Sequence, residues 1–161
     1  MEIYLMRHGI AEDPVPGMRD AERPLTGEGK RKLREVLQAA KRTGVKPTAL
    51  LSSPYRRARE TAAIAADVLS LQLEPFLSQH FTPMAEPHKG WEEIRLFSAE
   101  PSILITTHEP FTGLMVAFLL GVTHLPIDVK KGSLIRIDVE ATGPHPRGVL
   151  KWILTPRLAG V

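Results

Sequence analysis

Apolar residues recur along the chain in short blocks whose spacing switches between strand and helix. Residues 3–6 form a compact run of strand formers broken at Gly9 and read as a first strand. Residues 13–24 hold three prolines and a glycine, which predicts a loop. Thr26 is placed to cap a helix running to about residue 43 and stopped by Gly44 and Pro47, with Leu33, Val36, Leu37 and Ala40 on one face. Residues 48–52 read as a second strand. Pro54 suits the first turn of a helix reaching about Leu69, with Ala58, Ala62, Ala65 and Leu69 buried. Residues 72–82 have a mixed pattern with room for a short extended segment, and residues 91–97 suggest another helix. A strongly apolar strand at 102–106 precedes a helix at 111–120 that ends at Gly121. Two late strands, near 134–139 and 149–154, flank a turn at Gly143-Pro144.

Strands thus alternate with helices and then finish as a hairpin. The pattern predicts an α/β fold in three layers: a mainly parallel sheet, helices on both faces and an antiparallel edge. The length of 161 residues suits one domain spanning residues 1–161. In such a sheet, chemistry gathers at the carboxyl ends of the parallel strands.

Composition narrows the class. Hydrophobic residues at 43% and charged residues at 24% are globular values, so disorder is not expected. The net charge of +3 fits an anionic substrate but is too small to predict a nucleic-acid or membrane surface. The absence of cysteine excludes disulfides, a thiol nucleophile and thiolate metal sites. The start Met1-Glu2-Ile3-Tyr4-Leu5-Met6-Arg7 lacks the basic segment and apolar run of a signal peptide, and no apolar stretch reaches the ~20 residues that cross a bilayer. A cytoplasmic location is expected.

Three segments fall at the expected sheet edge. The first strand ends in Arg7-His8-Gly9, the second in Ser52-Ser53-Pro54 with Arg57 beyond it, and the 102–106 strand in Thr107-His108. Two histidines and at least two arginines would gather there, a combination suited to phosphoryl transfer. A transferring phosphoryl group keeps its negative charge on its oxygens, so catalysis is mostly positioning and electrostatic stabilisation. Arginine supplies a fixed fork of donors and stays charged. A neutral imidazole can attack through one ring nitrogen while an acceptor holds the other. Gly9 would let the backbone approach the anion closely.

On these residues the chain resembles the histidine phosphatase superfamily, and especially its short SixA-like branch of phosphohistidine phosphatases. The markers are Arg7-His8-Gly9, the Arg23-Pro24-Leu25-Thr26 segment with Gly29, Ser53-Pro54-x-x-Arg57-Ala58-x-x-Thr61-Ala62, and the late Thr107-His108. The first and third, in this order and spacing, carry the specificity. The resemblance implies a phosphoglycerate mutase-like fold, with His8 as the nucleophile that becomes phosphorylated. It implies that Arg7, Arg57 and His108 hold the phosphoryl oxygens, and that water then releases phosphate. Of the neighbouring arginines, the family pattern selects Arg57, which would share a helix face with Thr61, over Arg56 and Arg59.

Larger relatives use a carboxylate as general acid in an inserted region that this chain lacks, and Ile10 stands where they often carry glutamate. His80, in Gln79-His80-Phe81-Thr82-Pro83, is the possible proton donor; Glu86, Glu12 and Asp13 are weaker ones. A positioned acid contributes about 10²–10⁴-fold, and an alkoxide depends on it far more than a protonated imidazole does. The expected partner is therefore a phosphorylated protein, a histidine phosphocarrier or phosphotransfer protein. A small phosphate ester is the alternative, and a binding module without turnover is the alternative of another class. A monomer is expected, with no cofactor and no metal, since His88, His124 and His145 are expected at the surface with no ligand spacing between them. The basic run Lys30-Arg31-Lys32 with Arg34, Lys41 and Arg42 reads as a solvated helix face, with docking of an acidic protein as the sharper reading.

Overall fold

The computed structural model describes residues 1–161. Six strands and four helices follow in order: β1 (Glu2–Arg7), α1 (Gly27–Arg42), β2 (Ala49–Ser52), α2 (Arg56–Leu69), β3 (Phe76–Leu77), α3 (Pro87–Arg95), β4 (Ser102–Thr107), α4 (Phe111–Leu119), β5 (Leu134–Val139) and β6 (Gly148–Leu154). They build one sheet in the order β3-β2-β4-β1-β5-β6. β3, β2, β4 and β1 run parallel, while β5 and β6 add an antiparallel hairpin beside β1. This is the three-layer α/β arrangement that the sequence pattern predicts.

Side-chain alternation along the strands explains the layers. Ile3 and Leu5 of β1 and Ile103 and Ile105 of β4 pack with Trp91 and Ile94 of α3 and with Phe111 and Met115 of α4. Tyr4 and Met6 of β1 and Leu104 of β4 face the opposite way, onto Leu33, Val36, Leu37 and Ala40 of α1 and Ala62, Ala65 and Leu69 of α2. The central strands are buried on both faces, which is why they read as continuous apolar runs. No helix is long and apolar enough to cross a membrane.

Local chemistry sets the helix starts. Thr26 caps α1, its Oγ1 accepting from Gly29 N at 2.8 Å. Two starts differ from the sequence expectation. Pro54 lies outside α2, because Ser53 Oγ accepts from Tyr55 N at 3.2 Å and makes Tyr55 the capping position. α3 begins at Pro87 rather than near Trp91: proline is preorganised for the first helical turn and lacks only an N–H that would go unpaired there. On α1 the basic face is exposed and partly neutralised, with Arg31 near Glu35, Lys32 near Glu28 and Arg34 bonded to Asp67 of α2.

Candidate active site

Strand register brings the predicted residues together. Arg7 of β1 pairs with Thr107 of β4, and Ser52 of β2 pairs with Thr106, so His8, His108 and Ser53 leave three adjacent strands side by side. Backbone bonds extend the ladder one step further: His8 N donates to Thr107 O and Ser53 N to Thr106 O. Beneath them Thr106 Oγ1 bridges Ser52 Oγ and Ala58 O, tying the strand ends to the first turn of α2. That turn carries Arg57 back over the same edge.

The state of His8 is determined from both sides. Gly9 O, which can only accept, lies 2.7 Å from Nδ1, so Nδ1 carries the hydrogen. Arg57 Nε, which can only donate, lies 3.1 Å from Nε2, so Nε2 presents its lone pair. Burial pushes the His8 pKa down to about 3, opposed by the bond to Gly9 and reinforced by Arg57, Arg7 and Lys131. The ring is 6% exposed and neutral at physiological pH.

His108 stands beside it, ring centroids 5.0 Å apart, and is 1% exposed. Its Nε2 lies 2.8 Å from Ser53 Oγ, while Nδ1 is buried with no partner. Burial, then His8 once it is protonated, and then the charges of Arg57, Arg7 and Arg23 push its pKa down to about 2. Arg7 donates through Nη1 to Val129 O at 2.6 Å, and its buried Nε also has no partner. Burial lowers the Arg7 pKa, with Glu109 and Asp128 opposing. A buried polar atom without a partner calls for an explanation, and a catalytic role is one. Arg7 Nε and His108 Nδ1 stand in one cluster with Arg57, and Tyr55 closes its side, in contact with the His108 ring at 5.0 Å and under the Arg57 guanidinium at 5.1 Å.

The choice among the arginines follows burial. Arg57 is 4% exposed, whereas Arg56 is exposed and pairs with Glu60 at 2.9 Å, and Arg59 is exposed. Thr61 shares the inner face of α2, its Oγ1 donating to Arg57 O and accepting from Gly9 N at 3.4 Å. Gly9 also packs on α1: a Cβ there would stand 2.7 Å from Leu33 Cδ1. Gly29 completes the contact: a Cβ on it would fall 2.3 Å from Ile10 O.

His80 is half-buried in the short turn Gln79–Phe81, its Nε2 3.7 Å from Glu93 Oε1, with no hydrogen bond to His8, Arg57 or His108. Glu12, Asp13 and Glu86 are exposed, as are His88, His124 and His145. Asp20 is a site neighbour that the sequence reading missed. Its Oδ2 accepts from Arg57 Nη2 at 3.0 Å and its Oδ1 from Arg23 Nε at 2.8 Å. Burial raises the Asp20 pKa, but the two arginines outweigh it and the net direction is down. Glu109 was missed too: burial raises its pKa, and its Oε1 is turned to Gly113 N at 2.9 Å in α4.

Two neutral imidazoles thus stand among the cations Arg7, Arg57, Arg23 and Lys131, an arrangement chemically suited to an anion. The family model of the histidine phosphatase superfamily (branch 1) matches residues 3–79. An uncharacterized protein of Picosynechococcus sp. is 31% identical over 138 residues, covering 84% of this chain and 83% of that protein. The phosphohistidine phosphatase SixA of Escherichia coli is 25% identical over 158 residues, covering 97% of this chain and 94% of its own. Among solved structures, SixA complexed with tungstate superposes with a TM-score of 0.88 at 24% identity, covering 98% of both chains. The α-ribazole phosphatase of Shigella flexneri superposes with a TM-score of 0.72 at 18% identity, covering 97% of both. The chain belongs to the histidine phosphatase superfamily, is SixA-like within it, and has the phosphoglycerate mutase-like fold. Its activity class is that of a phosphatase.

Proposed function

We propose that this chain, acting as one cytoplasmic domain and as a monomer, removes phosphate from phosphohistidine on a protein through a phosphorylated His8. The observation that carries the reading is the buried His8 ring, its Nε2 lone pair held against Arg57 Nε at 3.1 Å with the His108 ring beside it. SixA's tungstate, a tetrahedral oxyanion, supports the same use of the site, and the E. coli relative's phosphohistidine activity supports the substrate class.

In the first step His8 Nε2 gives its lone pair to phosphorus as the bond from phosphorus to the substrate nitrogen breaks. The electron pair leaves with that imidazole, whose other nitrogen takes a proton from solvent so that it departs as a neutral ring. Nδ1–H stays bonded to Gly9 O throughout, so the positive charge that develops on His8 is stabilised by a carbonyl 2.7 Å away. Arg7 and Arg57 donate to the phosphoryl oxygens. With the Ser53 hydroxyl donating to His108 Nε2, 2.8 Å away, His108 would carry its proton on Nδ1 and offer it as a third donor. Water then attacks phosphorus, a proton passes to solvent, and His8 leaves as the neutral ring it was.

Neither nearby carboxyl serves as a strong acid for an alkoxide. Asp20 is held ionised by two arginines, and the Glu109 carboxyl, although burial raises its pKa, is anchored through Oε1 to Gly113 N in the first turn of α4. A leaving imidazole does without one, which favours phosphohistidine over sugar phosphates. The test is a substrate panel: a phosphohistidine carrier protein, sugar phosphates, α-ribazole phosphate and an aryl phosphate. Preferential turnover of the carrier protein is expected. A kcat/KM for any simple ester equal to that for the carrier would assign the chain to small molecules instead.

A further inference from the structure

Every nitrogen of the buried Arg57 guanidinium has a partner, and the partners divide into two sides. Nε points at His8 Nε2, 3.1 Å away. The terminal nitrogens point at one residue: Nη1 donates to the Asp20 backbone carbonyl at 2.7 Å and Nη2 to Asp20 Oδ2 at 3.0 Å. A guanidinium has two forks, one made by Nε with its neighbouring terminal nitrogen and one made by the two terminal nitrogens. Asp20 occupies the second, so the first faces the nucleophile.

Asp20 is itself anchored. Its Oδ1 accepts from Arg23 Nε at 2.8 Å, and Arg23 Nη1 donates to Glu12 O at 3.0 Å. The base of this loop is closed by Glu12 N to Pro24 O, Thr26 N to Ile10 O and the bridge between Ala11 and Leu25. A continuous chain of bonds therefore runs from the end of the His8 segment, through Arg23 and Asp20, to Arg57 on α2.

We propose that Asp20 is a positioning residue for phosphoryl transfer, gripping Arg57 from behind so that its Nε fork meets the phosphoryl oxygens. The proposal rests on the reading of Arg57 as a phosphoryl ligand. Once His8 Nε2 gives its lone pair to phosphorus, the bond from Arg57 Nε to His8 is gone. Asp20 is then the residue that restrains the guanidinium. The Asp20 side chain is 57% exposed, so its removal leaves the core intact.

The test uses the full chain with Asp20→Ala and Asp20→Asn. Loss of position should lower kcat/KM on a phosphohistidine carrier protein by about 10²-fold for alanine, with asparagine between alanine and wild type. Tungstate affinity, read by calorimetry, should fall about tenfold. In an Arg57→Ala background, Asp20→Ala should add less than about a twofold loss, because it acts through Arg57. The Arg57 Nε–H resonance, protected in wild type, should be lost in Asp20→Ala. That signal is independent of turnover: its loss in a chain that hydrolyses nothing would keep the positioning role and overturn the assigned function. An unchanged resonance with unchanged tungstate affinity, or an equal penalty without Arg57, would overturn the proposal.

Discussion

Arg57 Nε donates to His8 Nε2 across 3.1 Å, a contact between residues that are far apart in the chain. In the proposed reaction the donor that orients the lone pair is also the one that would donate to a phosphoryl oxygen when that lone pair is used. On that proposal nucleophile and phosphate clamp would be aligned before substrate arrives, which lowers the cost of reorganisation in the transition state.

Substitution of Arg57 tests this alignment. Arg57→Lys keeps the charge and loses the fork, so it should behave more like Arg57→Ala than like wild type. Loss of one such donor should lower kcat by about 10²–10³-fold. Steady-state kinetics of both variants checks it; near-wild-type activity for the lysine variant would reduce the clamp to simple charge.

This convergence was largely legible in the sequence. Arg7, His8, Ser53 and His108 each close an apolar run, and strand register alone makes them neighbours. Arg57 was separable from Arg56 and Arg59 through the family pattern that the resemblance supplies, and it is the buried one of the three, on the face of α2 that carries Thr61. Asp20 was not legible. It sits in a proline-rich loop without periodicity, and its partner Arg57 is reached only through the fold. The packing of Gly9 on Leu33 of α1 was not legible either, because it is a contact between elements that only the fold brings together.

The pH dependence follows from burial. With the His8 pKa lowered to about 3, the nucleophile is already neutral at pH 5, so NMR titration should find no His8 transition between pH 5 and 8. Unfolding restores both His8 and His108 to about 6.5, so below that the unfolded chain binds more protons than the folded one. Stability is therefore fully present above about pH 6.5 and is lost progressively as pH falls toward 3. Thermal melts should show that slope, and His108→Asn should flatten it. Equal slopes in the two proteins would contradict the buried neutral state of His108.

Gly29 gives a prediction opposed to helix propensity. Alanine in an exposed helix interior is favoured over glycine by about 1 kcal/mol. Here its Cβ would press on the Ile10 carbonyl at 2.3 Å, a backbone atom that cannot swing away. Gly29→Ala should destabilise the protein by about 1–3 kcal/mol, the cost typical of overpacking. Denaturant unfolding measures it, and a stabilised variant would contradict the close packing of α1 on the His8 segment.

The most direct measurement is of the phosphorylated enzyme itself. Wild type and His8→Ala are mixed with a phosphohistidine carrier protein, quenched within one turnover under alkaline conditions that preserve phosphohistidine, and mapped by mass spectrometry while released phosphate is counted. Wild type should carry phosphate on His8 and release it, and His8→Ala should do neither above background. Phosphate release by His8→Ala at the wild-type rate, or label on another residue, would contradict His8 as the nucleophile.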